Sequence, residues 1–318
     1  MNSKLDQLKA MTVVTADTGD MEAIRAYAPV DSTTNPSLIL KAAQMEAYGA
    51  LVEEAILWGI HHHATASRIA MRLAVNFGAE LTKIVPGRVS TEVDADLSFD
   101  VEGTVAQARS IIEDYNERGV RRDRVLVKIA ATWEGIQAAS LLQKDGIDCN
   151  LTLIFSLTQA AACADAGAFL VSPFVGRISD WYAKHEGKTY TVETDPGLAS
   201  LRQIYAYYKA YDIKTVIMGA SFRSQAQIEA LAGCDRLTIA PPLLDALAKD
   251  MGTLPRKLDP ASAAKDASAR MYLDEKSFRF MLNEDAMATE KLAEGIRIFS
   301  RDMQALRELV SKRLQMAA

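Results

Sequence analysis

Arg124-Val-Leu-Val-Lys-Ile-Ala-Ala-Thr132 is a short run of branched apolar residues with one lysine set into it. A run of this length, continuously apolar rather than alternating, makes a strand buried on both faces, the kind found in parallel sheets. Lys128 has no packing reason to be there. An ammonium inside such a strand must find a carboxylate or lose its proton, because desolvation disfavours the charged form, and a neutral lysine is a nucleophile towards carbonyls. From this stretch alone the choice stays open between a nucleophile, a buried ion pair and a strand-end lysine whose amine snorkels to water.

Working outward, strand-like and helix-like segments alternate along the chain. An opening helix reaches about Ala10, and Thr12–Asp17 reads as a strand, followed by a helix from Met21 to Tyr27 with Asp20 as N-cap. Pro29–Asn35 is a second, weaker strand, and Asn35-Pro36 fits N-cap and first turn of a helix running to about Trp58. A helix over Thr65–Phe77, a strand within Gly87–Asp94 and a helix from Glu102 to Arg118 lead to the lysine strand, with Trp133–Gln143 helical after it. Then come strands at Cys149–Phe155, Phe169–Val175, Thr215–Ser221 and Arg236–Ala240. The sixth is followed by a polar loop and a helix over Pro196–Tyr211. Met251–Lys265 reads as a loop, and a last helix from about 284 to 316 carries Leu292, Ile296, Phe299, Met303, Leu306 and Val310 at spacings of three and four, a stripe for packing on its own barrel. Eight strands, each leading to helix with no linker or composition shift, predict one α/β domain over residues 1–318. Its form is a closed TIM-type (β/α)8 barrel with additional N- and C-terminal helices, the alternative being an open doubly wound sheet. Against the alternative, the chain has no Gly-x-Gly-x-x-Gly turn, Walker sequence or nucleophile elbow.

Composition narrows the partners. With 318 residues, 49% of them hydrophobic, the chain can bury a large core, and a net charge of −5 gives no broad field for nucleic acid or membrane. The three cysteines are far apart, without metal or redox-pair spacing, which fits reduced thiols. The polar start of the chain and the lack of any charge-free apolar run of about 18 residues predict a soluble, cytoplasmic protein. His61-His62-His63 invites a metal reading, but consecutive helical residues point about 100° apart and cannot all chelate one ion, so the triplet is read as a surface face.

Barrel enzymes carry their chemistry at the C-terminal strand ends, on side chains of inward parity. Counting by twos, Lys128 shares a face with Leu126, Asp17 with Thr15, Asn35 with Thr33, Glu92 with Ser90, Thr152 with Asn150, Phe174 with Ser172 and Ser221 with Gly219. Taken singly, Asp17 and Asn35 could be helix caps, Glu92 a solvated acid and Thr152 a strand former. Converging around one buried lysine, they form the kit for Schiff-base carbon–carbon chemistry: a nucleophile, acid/base carboxylates, and donors for substrate hydroxyls.

Seven segments make the resemblance specific: Ala16-Asp-Thr-Gly-Asp20, Asp31-Ser-Thr-Thr-Asn-Pro-Ser-Leu38, Pro86-Gly-Arg-Val-Ser-Thr-Glu-Val-Asp94, Val125-Leu-Val-Lys-Ile-Ala130, Cys149-Asn-Leu-Thr152, Val171-Ser-Pro-Phe-Val-Gly-Arg177 and Gly219-Ala-Ser-Phe-Arg223. In order and over nearly the whole chain, this set resembles the long-form transaldolase family, most weakly in Met251–Lys276. The resemblance implies that Lys128 is the Schiff-base lysine and Asp17 the acid/base for the hydroxyl at the breaking bond. Glu92 would be the acid/base acting through a water that Thr152 helps hold. Asn35, Asn150 and Ser172 would bind substrate hydroxyls, with Thr33 and Phe174 beside them in the pocket, and Arg177, Ser221 and Arg223 would grip a phosphate. Ala131 stands where the family often has serine. The implied reaction moves dihydroxyacetone from sedoheptulose 7-phosphate to glyceraldehyde 3-phosphate in the pentose phosphate pathway, with sugar phosphates as the ligands, no cofactor and no metal, and homodimer assembly. The alternatives are a sugar-phosphate aldolase that releases dihydroxyacetone and a non-catalytic sugar-phosphate-binding barrel.

Overall fold

A computed structural model describes residues 2–317. Its centre is a closed barrel in which eight parallel strands follow one another in chain order: β1 Val13–Asp17, β2 Asp31–Thr33, β3 Val89–Glu92, β4 Val125–Ala130, β5 Cys149–Ile154, β6 Leu170–Pro173, β7 Val216–Gly219 and β8 Arg236–Ile239. Closure comes from β1 pairing with β8, Thr15 opposite Thr238. Every residue of β4 and β5 is buried, as the branched apolar runs demand of strands covered on both faces. The barrel, not the open sheet, is the fold.

Register does the positioning. Glu92 lies opposite Lys128 and Lys128 opposite Asn150, so an acid, an amine and an amide stand level on three adjacent strands. One turn of the pleat higher, Ala130 faces Thr152. Beyond Thr152 the β5–β6 register shifts and Leu153 takes a left-handed φ of 57°, an irregularity of the kind that re-aims side chains at barrel rims. At the opposite wall Asp17 faces Thr33.

Several segments differ from the periodicity reading. The helix expected to run from Pro36 to Trp58 is two helices, Pro36–Ala43 and Gly49–His61, joined by a 3-10 turn at Glu46–Tyr48. The break serves Tyr48, whose buried hydroxyl donates to Asp20 Oδ1 at 2.9 Å and accepts from the Met21 amide at 2.9 Å, so a tertiary contact overrides local helix propensity. The helix expected to end at Phe77 continues as Ala66–Ile84. Gly78 does not stop it; a Cβ there would fall 1.6 Å from the Tyr115 hydroxyl, so the glycine admits the tyrosine rather than ending the helix. Where a polar loop was expected after β6, a helix Val175–Glu186 begins at once. Its buried face is only Val175, Gly176 and Ile178, too narrow to give a clear apolar period, and Gly187 ends it at a φ of 65°.

The chain closes with Glu275–Glu284 and a 32-residue helix, Ala286–Ala317, that crosses the C-terminal ends of the strands. It packs on the helices Pro36–Ala43, Ala66–Ile84 and Val175–Glu186 and on β5. Met303, Leu306 and Val310 join the main core between strands and outer helices. Leu292 and Phe299 join a separate cluster over the barrel mouth with Leu153, Phe155 and Phe174. Fully burying one such side chain contributes about 1.5–3 kcal/mol, so the stripe alone seats the helix firmly. Polar ties add direction: Arg307 pairs with Asp94 and with Asp96, the latter at 3.0 Å, and Ser300 donates to Asp96. Close approach is possible because residue 295 is glycine; a Cβ there would sit 2.6 Å from the Leu153 side chain.

Candidate active site

Under that helix lies a cavity of about 190 Å³ at the C-terminal end of the barrel. Of the residues singled out from sequence, Asp17, Thr33, Asn35, Lys128, Ser172, Phe174, Arg177, Ser221 and Arg223 all line it. Glu92, Asn150 and Thr152 do not reach its wall; they are buried behind Lys128 and Ser172. Asn35 holds both readings at once, facing the cavity while its Oδ1 caps the following helix by accepting from the Leu38 amide at 3.0 Å.

Lys128 is 4% exposed, and its Nζ lies 3.0 Å from Glu92 Oε2, so the charge in the apolar strand is met by a buried carboxylate. The pair is off the hydrogen-bond direction, leaving Oε2 without a hydrogen-bond donor, while Nζ donates to the Thr34 carbonyl at 3.2 Å. Burial pushes the Glu92 carboxyl above its ordinary value, with the Lys128 ammonium pulling the other way. An acid raised in this way holds its proton more readily than a surface glutamate does. Thr152 Oγ1, one turn of the pleat higher, is buried without a protein partner.

Asp17 sits across the cavity and keeps some surface on it. Burial again pushes its carboxyl up, opposed by Lys128, by a hydrogen bond from Thr33 Oγ1 at 3.1 Å and by Arg177. The Thr33 hydroxyl lies 2.9 Å from that of Thr238. Because folding raises the Asp17 pKa, this carboxyl favours the fold below its unfolded value, and that contribution is lost as pH rises through the folded value. At neutral pH the ionised group therefore opposes folding. Asp17→Asn should raise the melting temperature at neutral pH, and the gain should shrink as pH falls through the raised folded value and be gone below the ordinary aspartate range. An unchanged or lowered melting temperature at pH 7 would show that the ionised carboxylate is fully compensated in place.

Polar groups beside and behind the cavity orient one another: Ser172 Oγ donates to Asn150 Oδ1 at 2.7 Å, and Asn150 Nδ2 donates to Ser90 Oγ at 3.1 Å. At the far side of the cavity two guanidiniums converge. Arg223 is held by Asp180 through Nε at 3.0 Å and Nη2 at 2.8 Å, which leaves Nη1 near Ser221 Oγ at 3.3 Å. Arg177 makes no ion pair among the described residues; its Nη1 is buried and unpartnered, and its guanidinium lies over the rings of Phe174 and Phe299. Ser221 holds a left-handed φ of 64°, a strained setting for a non-glycine residue at the point where the two arginines meet. Arg223 Nη1 also donates to the Ser221 carbonyl at 3.1 Å, so the donors without a partner are those of Arg177, and with the second guanidinium and a serine hydroxyl beside it they suit a doubly charged, oxygen-rich group.

Residues missed in the sequence were Phe299, Thr238, Ser90 and Asp180. Thr238 was legible, since the parity count applied to β8 would have found it. Phe299 and Asp180 carried no such signal, because both come from helices rather than strand ends. The histidine triplet is exposed, with His62 stacked on Trp58, and no cluster of three metal-ligating side chains exists among the described residues.

A buried lysine beside a carboxylate, a second carboxylate across the cavity and two arginines at the mouth of a (β/α)8 barrel are the equipment that an imine-forming enzyme of phosphorylated carbonyl compounds needs. Comparison with known sequences points the same way. Residues 14–310 match the family described as Transaldolase/Fructose-6-phosphate aldolase. The chain is 62% identical to a transaldolase of Rhizobium etli (strain CIAT 652), covering all of both chains, and 59% identical to one of Agrobacterium fabrum with the same coverage. A transaldolase of Aeromonas salmonicida is 54% identical over 99% of this chain and all of its own. The chain belongs to the transaldolase/fructose-6-phosphate aldolase family and is an enzyme, a transferase.

Proposed function

We propose that this chain, with residues 1–318 acting as one domain, transfers dihydroxyacetone from sedoheptulose 7-phosphate to glyceraldehyde 3-phosphate, giving erythrose 4-phosphate and fructose 6-phosphate. The observation that carries the assignment of roles is the buried Lys128–Glu92 pair at one end of a cavity whose other end holds Arg177 and Arg223. In this reading Glu92, through a water steadied by the Thr152 hydroxyl, takes the proton from Lys128. The amine adds to the C2 ketone, and loss of water returns a protonated imine. Asp17 then accepts the C4 hydroxyl proton as the C3–C4 bond breaks; the electron pair moves into the imine, leaving an enamine, and the aldose phosphate departs. The acceptor aldehyde re-forms the bond from the enamine, and hydrolysis frees the lysine. Asn35 and Ser172 hold substrate hydroxyls, Asn150 orients the Ser172 hydroxyl from behind, Thr33 and Phe174 stand alongside, and Arg177, Ser221 and Arg223 hold the phosphate.

Covalent retention of the three-carbon unit separates this activity from an aldolase that releases dihydroxyacetone. Cover from the C-terminal helix supports retention, since a shielded enamine is not protonated by bulk water. The three cysteines are free and buried, in keeping with a cytoplasmic setting, and no described helix is long and apolar enough to cross a membrane. A homodimer, and an absence of nucleic-acid partners from a chain of net charge −5, belong to the same reading.

Incubation with fructose 6-phosphate and borohydride tests it. A reduced three-carbon adduct is expected on the peptide containing Lys128, with little free dihydroxyacetone in the supernatant. An adduct on Lys83 or Lys214 would remove Lys128 from its role, and stoichiometric release of dihydroxyacetone at each turnover would make the enzyme an aldolase.

A further inference from the structure

Among the described residues of the C-terminal helix, Phe299 alone lines the cavity. Its stripe neighbours Met303, Leu306 and Val310 pack into the main core instead. The Phe299 ring is 2% exposed, and two cations lie over it: Lys128 Nζ and the Arg177 guanidinium carbon, each 5.7 Å from its centroid. Arg177 is also 5.1 Å from the centroid of Phe174, so two phenyl rings flank a guanidinium that no carboxylate pairs among the described residues. An aromatic face attracts a cation through its quadrupole without occupying any N–H group. A carboxylate would do the opposite, as Asp180 does to one edge of Arg223.

We propose that Phe299 is a positioning residue for the transfer reaction: it holds Arg177 in place with its donors free for the substrate phosphate and presents its ring to Lys128, where the imine carries positive charge. The closing helix thereby takes part in the chemistry as well as covering it. This rests on the function proposed above. A desolvated cation–aromatic contact of this kind accounts for about a five- to thirtyfold change in an equilibrium.

The test compares Phe299→Leu, Phe299→Tyr and Leu306→Ala. Phe299→Met, which keeps more of the volume, replaces Phe299→Leu if that variant does not fold. Loss of the ring should raise KM for glyceraldehyde 3-phosphate about five- to thirtyfold while KM for unphosphorylated glyceraldehyde moves by roughly twofold or less, and it should slow borohydride trapping on Lys128. Phe299→Tyr keeps a ring and should restore both measurements. Leu306→Ala loosens the same helix from the core and should give no split between the acceptors. If the ring-loss variant raises both KM values alike, or Leu306→Ala reproduces its split, Phe299 is only packing. A wild-type enzyme that traps no adduct on Lys128 overturns the functional reading itself, whereas normal wild-type trapping with unaltered Phe299 variants overturns only this proposal.

Discussion

Asp17→Ala, mixed with fructose 6-phosphate and borohydride, should accumulate a Lys128 adduct that weighs as the whole hexose phosphate rather than as three carbons. Lys128 is level with Glu92 and Asn150 on the far side of the cavity from β1, so imine formation does not need Asp17. Cleavage does. With no group to take the C4 proton, the C3–C4 bond should break about 10²- to 10⁴-fold more slowly, the usual contribution of a positioned acid or base. Burial raises the Asp17 carboxyl, so in the wild type the acid limb of the cleavage rate should lie above the ordinary aspartate range: base function needs the ionised form, and protonation removes it at a higher pH than usual. A three-carbon adduct appearing at nearly the wild-type rate in Asp17→Ala would show that the carboxylate is structural.

Glu92→Gln should fail one step earlier. The glutamate carboxylate 3.0 Å from Lys128 Nζ is the base beside the amine, and glutamine cannot exchange a proton. Imine formation and breakdown should slow by about 10²- to 10⁴-fold, leaving little adduct of any mass at short times. Normal accumulation of the three-carbon adduct would place the acid/base elsewhere. The two carboxylates are thus separable by the mass of what is trapped as well as by the size of the loss.

Much of this site could be read along the chain because barrel strands impose a simple rule. Period-two parity together with a polar strand end places Asp17, Asn35, Glu92, Lys128 and Ser172 on one pocket, and each stands at or directly behind the cavity. The same rule was blind to helices. Val175–Glu186 carries Arg177 and Asp180, but its buried face of Val175, Gly176 and Ile178 is too narrow to show a period, and Phe299 looked like one more core residue in a packing stripe. Tyr48 broke a helix for a hydrogen bond to Asp20, a residue 28 positions away, which no local propensity encodes.

By itself the sequence determined the alternation of strand and helix, the caps at Asp20 and Asn35, and the chemical misfit of a lysine among branched apolar neighbours, since each depends on residues a few positions apart. Only the tertiary structure decided that the misfit is met by Glu92 rather than by water, that Arg177 has aromatic rings instead of an acid beside it, and that Arg223 already shares one edge with Asp180. Those facts are distances between residues far apart in the chain. Barrel closure and the seating of the last helix set them, and the burial they create is what gives a carboxylate or a guanidinium its altered chemistry.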